Sequence, residues 1–141
     1  MNKKGFTLIE LLAVLIIIGL VALITVTSIT SLLKKYKNGL YEKQIDNIES
    51  AARVWGADNL LILPNDSNST NVCDYKNINN CDKNYKTIII DLSILQTGGY
   101  IDSDLKNPKT KEPFDNVTIK ITKNGNNIEY NVVTEENNNQ S

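Results

Sequence analysis

The fold is decided by the N-terminal sequence MNKKGFTLIELLAVLIIIGLVALITVTSITSLL, which covers residues 1–33. A short basic head precedes an apolar run, and between Phe6 and Leu33 the only charged residue is Glu10. A helix rises about 1.5 Å per residue, so residues 6–33 would extend about 42 Å, more than the roughly 30 Å of a bilayer's hydrocarbon core. The sequence therefore predicts that residues 6–33 form one helix that can cross a membrane once.

The composition excludes several classes of protein. The chain has 141 residues, enough for one compact domain, and a formal net charge of −1. It contains no histidine, which rules out Ser-His-Asp and Cys-His catalysis and removes the commonest metal ligand. The sequence has no Gly-rich phosphate loop and no general basic field that would attract nucleic acid. We expect a protein that is not an enzyme and that uses neither a cofactor nor a metal.

Glu10 is the unusual residue of the apolar run. A cleavable secretory signal would place a small-residue site of the Ala-x-Ala type after the apolar core, and none follows Ile24. A carboxylate in a membrane span costs about 2.5–3.5 kcal/mol at mid-bilayer and less near the interface. Two interpretations stay open at this point: Glu10 has a functional partner, or it reaches the headgroups from the end of the helix.

The segment KGFTLIELL, residues 4–12, resembles the processing signature of type IV prepilins and type II secretion pseudopilins. The resemblance implies that residues 1–5 are a leader, that a prepilin peptidase cuts after Gly5, and that the new amino group of Phe6 is methylated. It also implies that Glu10 neutralises an N-terminal ammonium, commonly that of a neighbouring subunit. Opposite charges buried together attract strongly, whereas either alone is penalised, so this pairing would favour one assembly register.

The same resemblance implies a location and a set of partners. The chain would first be a single-pass protein of the cell membrane, in contact with lipid and with its C-terminal domain outside. It would then enter a surface filament with other pilin subunits, extruded by an assembly platform and a separate ATPase. Charge alone does not set the orientation, because the basic head before the span is nearly balanced by lysines at positions 34, 35 and 37 after it.

A helical periodicity continues beyond the apolar run. It predicts an amphipathic continuation over residues 34–63, with possible bends at Gly39 and Gly56, and Pro64 with the polar residues after it ends the helix. Many pilins have a proline part-way along the first half, whereas this chain reads Val-Thr-Ser at 26–28. The apolar stripe, including a tryptophan expected in the core, is Tyr36, Leu40, Ile45, Ile48, Ala52 and Trp55.

A small head is predicted over residues 64–134, and residues 135–141 are expected to be disordered because they have nothing to bury. Within the head, residues 64–86 are polar and loop-like. The order of long helix, loop and small antiparallel β-sheet predicts an α+β fold of the type IV pilin kind. The predicted elements are a strand at 87–90, a helical turn capped by Asp91 and ended by Gly98 and Gly99, and a hairpin of 117–121 and 128–132.

The two cysteines, Cys73 and Cys81, lie in the polar loop. They are too far apart for a CxxC redox pair, and no further cysteine or histidine completes a zinc site. An even pair in an exported domain favours a disulfide, worth about 2–3 kcal/mol, with two free thiols as the alternative.

Charged residues near the turns of the head are candidates for binding two kinds of ligand, calcium and DNA. Four acids, Asp102, Asp104, Glu112 and Asp115, offer oxygen ligands where major pseudopilins can bind calcium, but their spacing is not that of an EF-hand and solvated turn acids are the favoured interpretation. Nearby acids reduce the local positive charge around five lysines that would otherwise favour DNA binding. Nucleic acid therefore stays an open partner. The lysines are Lys106, Lys109, Lys111, Lys120 and Lys123.

The leading functional prediction is a pilin, the structural subunit of a type IV pilus-like filament. One alternative is a pseudopilin of a type II secretion or competence DNA-uptake pseudopilus. A second alternative is an extracytoplasmic binding module that uses the N-terminal segment only as a membrane anchor and is not cut after Gly5.

Overall fold

The structure is a computed structural model that describes residues 7–134, with the side chains of residues 24–28 and 80 left aside. The predicted leader, the methylation residue Phe6 and the predicted disordered tail 135–141 lie outside the described residues. The chain divides into two compact units, Met1–Gly39 and Leu40–Ser141, which are considered separately below.

The predicted long helix is present as α1, Leu8–Asp58. It ends at Asp58 rather than at Leu63, because a single 3₁₀ turn, Leu60–Ile62, follows before the chain reaches Pro64. In the first unit, every described side chain from Thr7 to Leu23 is exposed. Across the described residues, no helix meets the combination of length and hydropathy that a bilayer crossing demands.

The second unit contains a four-stranded mixed sheet in the order β1-β2-β3-β4. β1 pairs parallel with β2, and the pairs β2–β3 and β3–β4 are antiparallel. The short helix α2 follows β2 directly. The elements are β1 (Val72–Asp74), β2 (Thr87–Asp91), α2 (Leu92–Thr97), β3 (Thr118–Asn124) and β4 (Asn127–Val133).

The α+β fold is confirmed, with one difference in the sheet. The predicted sheet was antiparallel throughout, whereas β1 adds a parallel strand from within the polar loop of residues 64–86. With only three residues, β1 is too short to show the alternation that identifies a strand in a sequence. A 3₁₀ segment, Tyr75–Asn80, occupies the next part of the same loop.

The core of the second unit lies between the C-terminal part of α1 and one face of the sheet. Ile48 and Ala52 of α1 are fully buried, and Trp55 is 3% exposed, which confirms its predicted place in the core. Strand alternation supplies the opposite face, since Ile88 pairs in register with Ile121 and both are fully buried. Further core residues are Cys73, Tyr85, Ile90, Leu92, Leu95, Val117, Ile119 and Tyr130.

Gly56, where a bend was considered, has a steric role in the structure. Helix α1 continues through Gly56, and a Cβ at that position would collide with the hydroxyl of Tyr130 on β4. The missing side chain therefore lets the helix approach the sheet closely.

The end of α2 forms a Schellman motif. The N–H of Tyr100 donates to the carbonyl of Leu95 at 2.9 Å, the N–H of Gly99 donates to that of Gln96 at 3.1 Å, and Gly99 has a φ of +76°. At the start of α2 the predicted cap is wrong: Asp91 occupies the N-cap position but makes no side-chain capping bond. Its carboxylate instead forms an ion pair with Lys76.

Candidate functional site

The N-terminal end of α1 is held by a reciprocal capping arrangement between Thr7 and Glu10. The backbone N–H and the hydroxyl of Thr7 both donate to Oε2 of Glu10 at 3.3 Å. In return, the hydroxyl oxygen of Thr7 accepts from the backbone N–H of Glu10 at 3.4 Å. Thr7 therefore stands at the N-cap and Glu10 three residues later, which is a capping box.

This arrangement gives the Glu10 carboxylate hydrogen-bond donors within its own chain. The carboxylate accepts from the backbone N–H and the hydroxyl of Thr7 in its own chain, at the positive end of the helix dipole. These contacts are long and exposed, so they hold the carboxylate in place without occupying it fully. Sequence reasoning gave Thr7 no role, although Thr-x-x-Glu ahead of an apolar run is the signature that would have revealed one.

Glu10 lies near the position that cleavage would turn into a chain end. Phe6 is outside the described residues, but it is joined directly to Thr7, whose N–H already donates to Glu10. A new amino group on Phe6 would therefore be three covalent bonds from the backbone nitrogen of Thr7. The carboxylate–ammonium pair therefore stays a prediction for the processed chain.

The aliphatic side chains on both sides of Glu10, in residues 8–23, form a rod of exposed hydrocarbon. Leu8 is 85% exposed, Ile17 60% and Leu23 71%. Each large aliphatic side chain that moves from water into an apolar environment contributes roughly 1.5–3 kcal/mol. A rod of this kind needs a lipid or protein environment that the described part of the chain does not supply.

The predicted disulfide is present in the second unit. Cys73 and Cys81 are bonded, with their Cα atoms 5.4 Å apart. Cys73 is buried in the core and belongs to β1, whereas Cys81 is half-buried and follows the 3₁₀ segment. Between them, Tyr75 packs its ring edge-on against Trp55 at a centroid distance of 5.5 Å. The bond thus fastens a surface loop to the helix–sheet core.

The structure does not bring the four candidate calcium ligands together. Within residues 7–134 no three acidic, cysteine or histidine side chains are grouped so that they could hold a metal ion.

Two of the five lysines of the head, Lys109 and Lys120, have different surroundings. Lys109 lies against α1, where its Nζ is 3.9 Å from the ring centroid of Tyr41. Tyr41 is itself buried and donates from its hydroxyl to Thr134 at 3.0 Å. Lys120 lies on β3, between Ile89 on β2 and Asn131 on β4. Lys109 therefore has a packing role that the sequence did not indicate.

The resolved pKa shifts also point to structural roles. A hydrogen bond to Asp58, 3.0 Å long, raises the pKa of Tyr100, and the contact with Asp91 raises the pKa of Lys76. Burial raises the pKa of both Tyr85 and Tyr130. All four shifts lie on the alkaline side of an already high value, so none of these groups is adjusted for proton transfer at neutral pH.

Comparison with known proteins bears on the N-terminal segment. Residues 1–26 match the family model described as the prokaryotic N-terminal methylation motif. No curated protein and no solved structure matches the chain. The matched region contains the predicted cleavage residues Gly5 and Phe6 together with Thr7 and Glu10. The N-terminal segment of this chain is thus a prokaryotic N-terminal methylation motif, the cleavage and methylation segment of type IV pilin-like and pseudopilin-like precursors.

Proposed function

We propose that this chain is the precursor of a filament subunit of the type IV pilin class. Cleavage after Gly5 and methylation of Phe6 produce the mature chain, which waits in the membrane and then polymerises through the N-terminal part of α1. The observation that carries the proposal is the methylation motif at residues 1–26, continued by an exposed apolar helix. The protein's task is structural and non-enzymatic.

The exposed rod supports polymerisation because its hydrocarbon has two suitable environments in succession. Lipid surrounds the rod before assembly, and the rods of neighbouring subunits surround it afterwards. Moving between two apolar environments changes little hydrophobic free energy, so packing and charge pairing decide the balance. Extraction of the subunit from the membrane is then feasible with an external motor.

Glu10 supports the same proposal through its charge. Among the described residues its carboxylate has weak, exposed contacts with Thr7. In a filament core the same carboxylate meets the ammonium of Phe6 from a neighbour, where low dielectric strengthens the pair and penalises either charge alone. Subunits that lack this pair would enter the filament poorly.

The most informative experiment is intact-mass analysis of protein sheared from the cell surface. We expect a chain that starts at Phe6, is heavier by one methyl group and is lighter by the two hydrogens lost in the Cys73–Cys81 bond. A full-length chain that still carries Met1 and stays out of the sheared fraction would contradict the proposal and favour a simple membrane anchor.

The role of Glu10 is tested by Glu10→Ala. We expect processing to continue and the amount of sheared filament to fall at least about tenfold, because each subunit would bury an unpaired ammonium. Thr7→Ala is the matched control, since it weakens the capping box but leaves the carboxylate. If Thr7→Ala reduces filaments as much as Glu10→Ala does, the effect comes from capping and the assembly role of Glu10 is wrong.

The choice between a pilus and a pseudopilus depends on the length and location of the filament. We propose a surface pilus as the first candidate and a secretion or DNA-uptake pseudopilus as the alternative. Electron microscopy of sheared material would distinguish long surface fibres from short structures confined to the envelope.

A further inference from the structure

The charges of α1 change sign abruptly along the helix. Between Glu10 and Glu42 the only charged residues are three lysines within four positions, called here the lysine collar: Lys34, Lys35 and Lys37. The following segment, residues 42–58, contains four acids and two basic residues. The helix thus goes from a locally positive stretch directly to a net negative one.

The collar and the first acids after it are available for contacts outside the chain. Lys34 and Lys35 are exposed, and so are Glu42 and Asp46. Among the described residues, none of these four groups forms an ion pair, whereas Glu49 further on is paired with Arg53 at 2.6 Å. Glu42 and Asp46 are therefore the open acceptors of the acidic segment.

The spacing of these charges in the sequence matches the period of an α-helix. Residues seven and eleven positions apart lie close to the same face at 3.6 residues per turn. Lys35, Glu42 and Asp46 have this spacing. A second α1 running parallel would meet like charges if it stood in register. If the second helix were shifted along its axis by seven to eleven residues, the lysines of one helix would lie beside the acids of the other.

We propose that the lysine collar of one subunit pairs with Glu42 and Asp46 of a second copy, and that this pairing sets the stagger between neighbouring subunits. The inference rests on the proposed filament function and adds the partner surface to it. Repulsion between collars disfavours the unstaggered arrangement, and attraction favours the shifted one. A shifted contact joins two different surfaces, which is how identical subunits build an open helical filament.

The experiment is a charge exchange in cells that assemble the native full-length chain, with sheared filament measured by immunoblot. The collar variant is Lys34→Glu, Lys35→Glu and Lys37→Glu, and the acidic variant is Glu42→Lys and Asp46→Lys. We expect each to reduce filament yield about tenfold, as several weak surface pairs lost together would do. Combining the two sets should restore the yield to within about twofold, since the pairs are then re-formed with opposite sign.

The matched control changes the same number of charges in the head. Lys83→Glu, Lys106→Glu and Lys120→Glu alter exposed lysines away from the collar, and we expect filament yield to stay near that of the native chain. Filaments of native yield from the collar variant would overturn the inference. So would a combined variant no better than the collar variant, because the collar would then bind something else, such as anionic lipid headgroups.

The two proposals fail in different ways. If the collar variant assembles normally while Glu10→Ala does not, the filament function stands and the stagger inference is wrong. If the native chain forms no filament, both are wrong.

Discussion

The aliphatic side chains of α1 are buried in the second unit and exposed in the first. In the second unit, Ile48 is fully buried against the sheet, whereas in the first unit Ile17 is 60% exposed in the same helix. Both stretches are rich in aliphatic residues, but within residues 7–134 only the second packs against another part of the chain. A helix surface that stays apolar without an internal partner indicates that its environment comes from other molecules.

The largest expected effect comes from comparing the same isoleucine-to-alanine substitution in the two parts of α1. Ile48→Ala should lower the free energy of unfolding of the head by about 2–5 kcal/mol, because it leaves a cavity in a packed core. Ile17→Ala should leave that free energy within about 0.5 kcal/mol and should reduce filament yield instead. Thermal or urea unfolding followed by circular dichroism, together with sheared yield, checks both.

The contrast would break down if Ile17→Ala unfolded the head as strongly as Ile48→Ala. The rod would then contribute to the stability of the head, and its exposure would not indicate an external partner. Ile18→Ala, also 60% exposed, serves as an internal repeat of the same test.

The disulfide should be the next most important contribution to the head. Cys81→Ser opens the loop that fastens Tyr75 against Trp55 and should cost about 2–3 kcal/mol. For a unit of about 100 residues, this corresponds to a fall of roughly 10 °C in melting temperature. Reducing agent should lower the melting temperature of the native chain but not that of the variant. Equal sensitivity of both would contradict this account.

Alkaline pH should give a smaller effect that is also confined to the head. Tyr85, Tyr100 and Tyr130 have pKa values raised above the usual value of about 10. Above that pH the folded head holds more protons than the unfolded chain, so stability falls as pH rises and is fully present below it. Urea unfolding between about pH 8 and 11 should show this decline, reduced in Tyr85→Phe. An unchanged profile in the variant would refute the role of Tyr85.

The sequence was sufficient where a signal repeats or is specific. Long apolar periodicity predicted α1, alternation around Gly125 predicted the hairpin of β3 and β4, and Gly98 with Gly99 marked the end of α2. The N-terminal signature was specific enough to indicate processing by itself, and a family model matches the same residues.

The sequence was insufficient where a contact depends on distant partners. β1 exists because three residues of a polar loop pair with β2, and no local pattern marks so short a strand. Asp91 was predicted to cap α2 because of its position before the helix, but its carboxylate forms an ion pair with Lys76 from the loop. Gly56 suggested a bend, and only the approach of Tyr130 from β4 shows why glycine is required there.

The shortness of β1 has a consequence for the proposed filament, which would bring many copies of the head close together. A free sheet edge is a template for uncontrolled pairing with another chain, and such pairing leads to aggregation. β1 pairs with one edge of β2, and only its three residues, Val72–Asp74, are available to pair with a strand of another chain. The 3₁₀ segment and the disulfide at Cys81 follow β1 directly. This edge therefore gives a foreign strand too little backbone for a stable ladder, so strand pairing between heads through β1 is disfavoured.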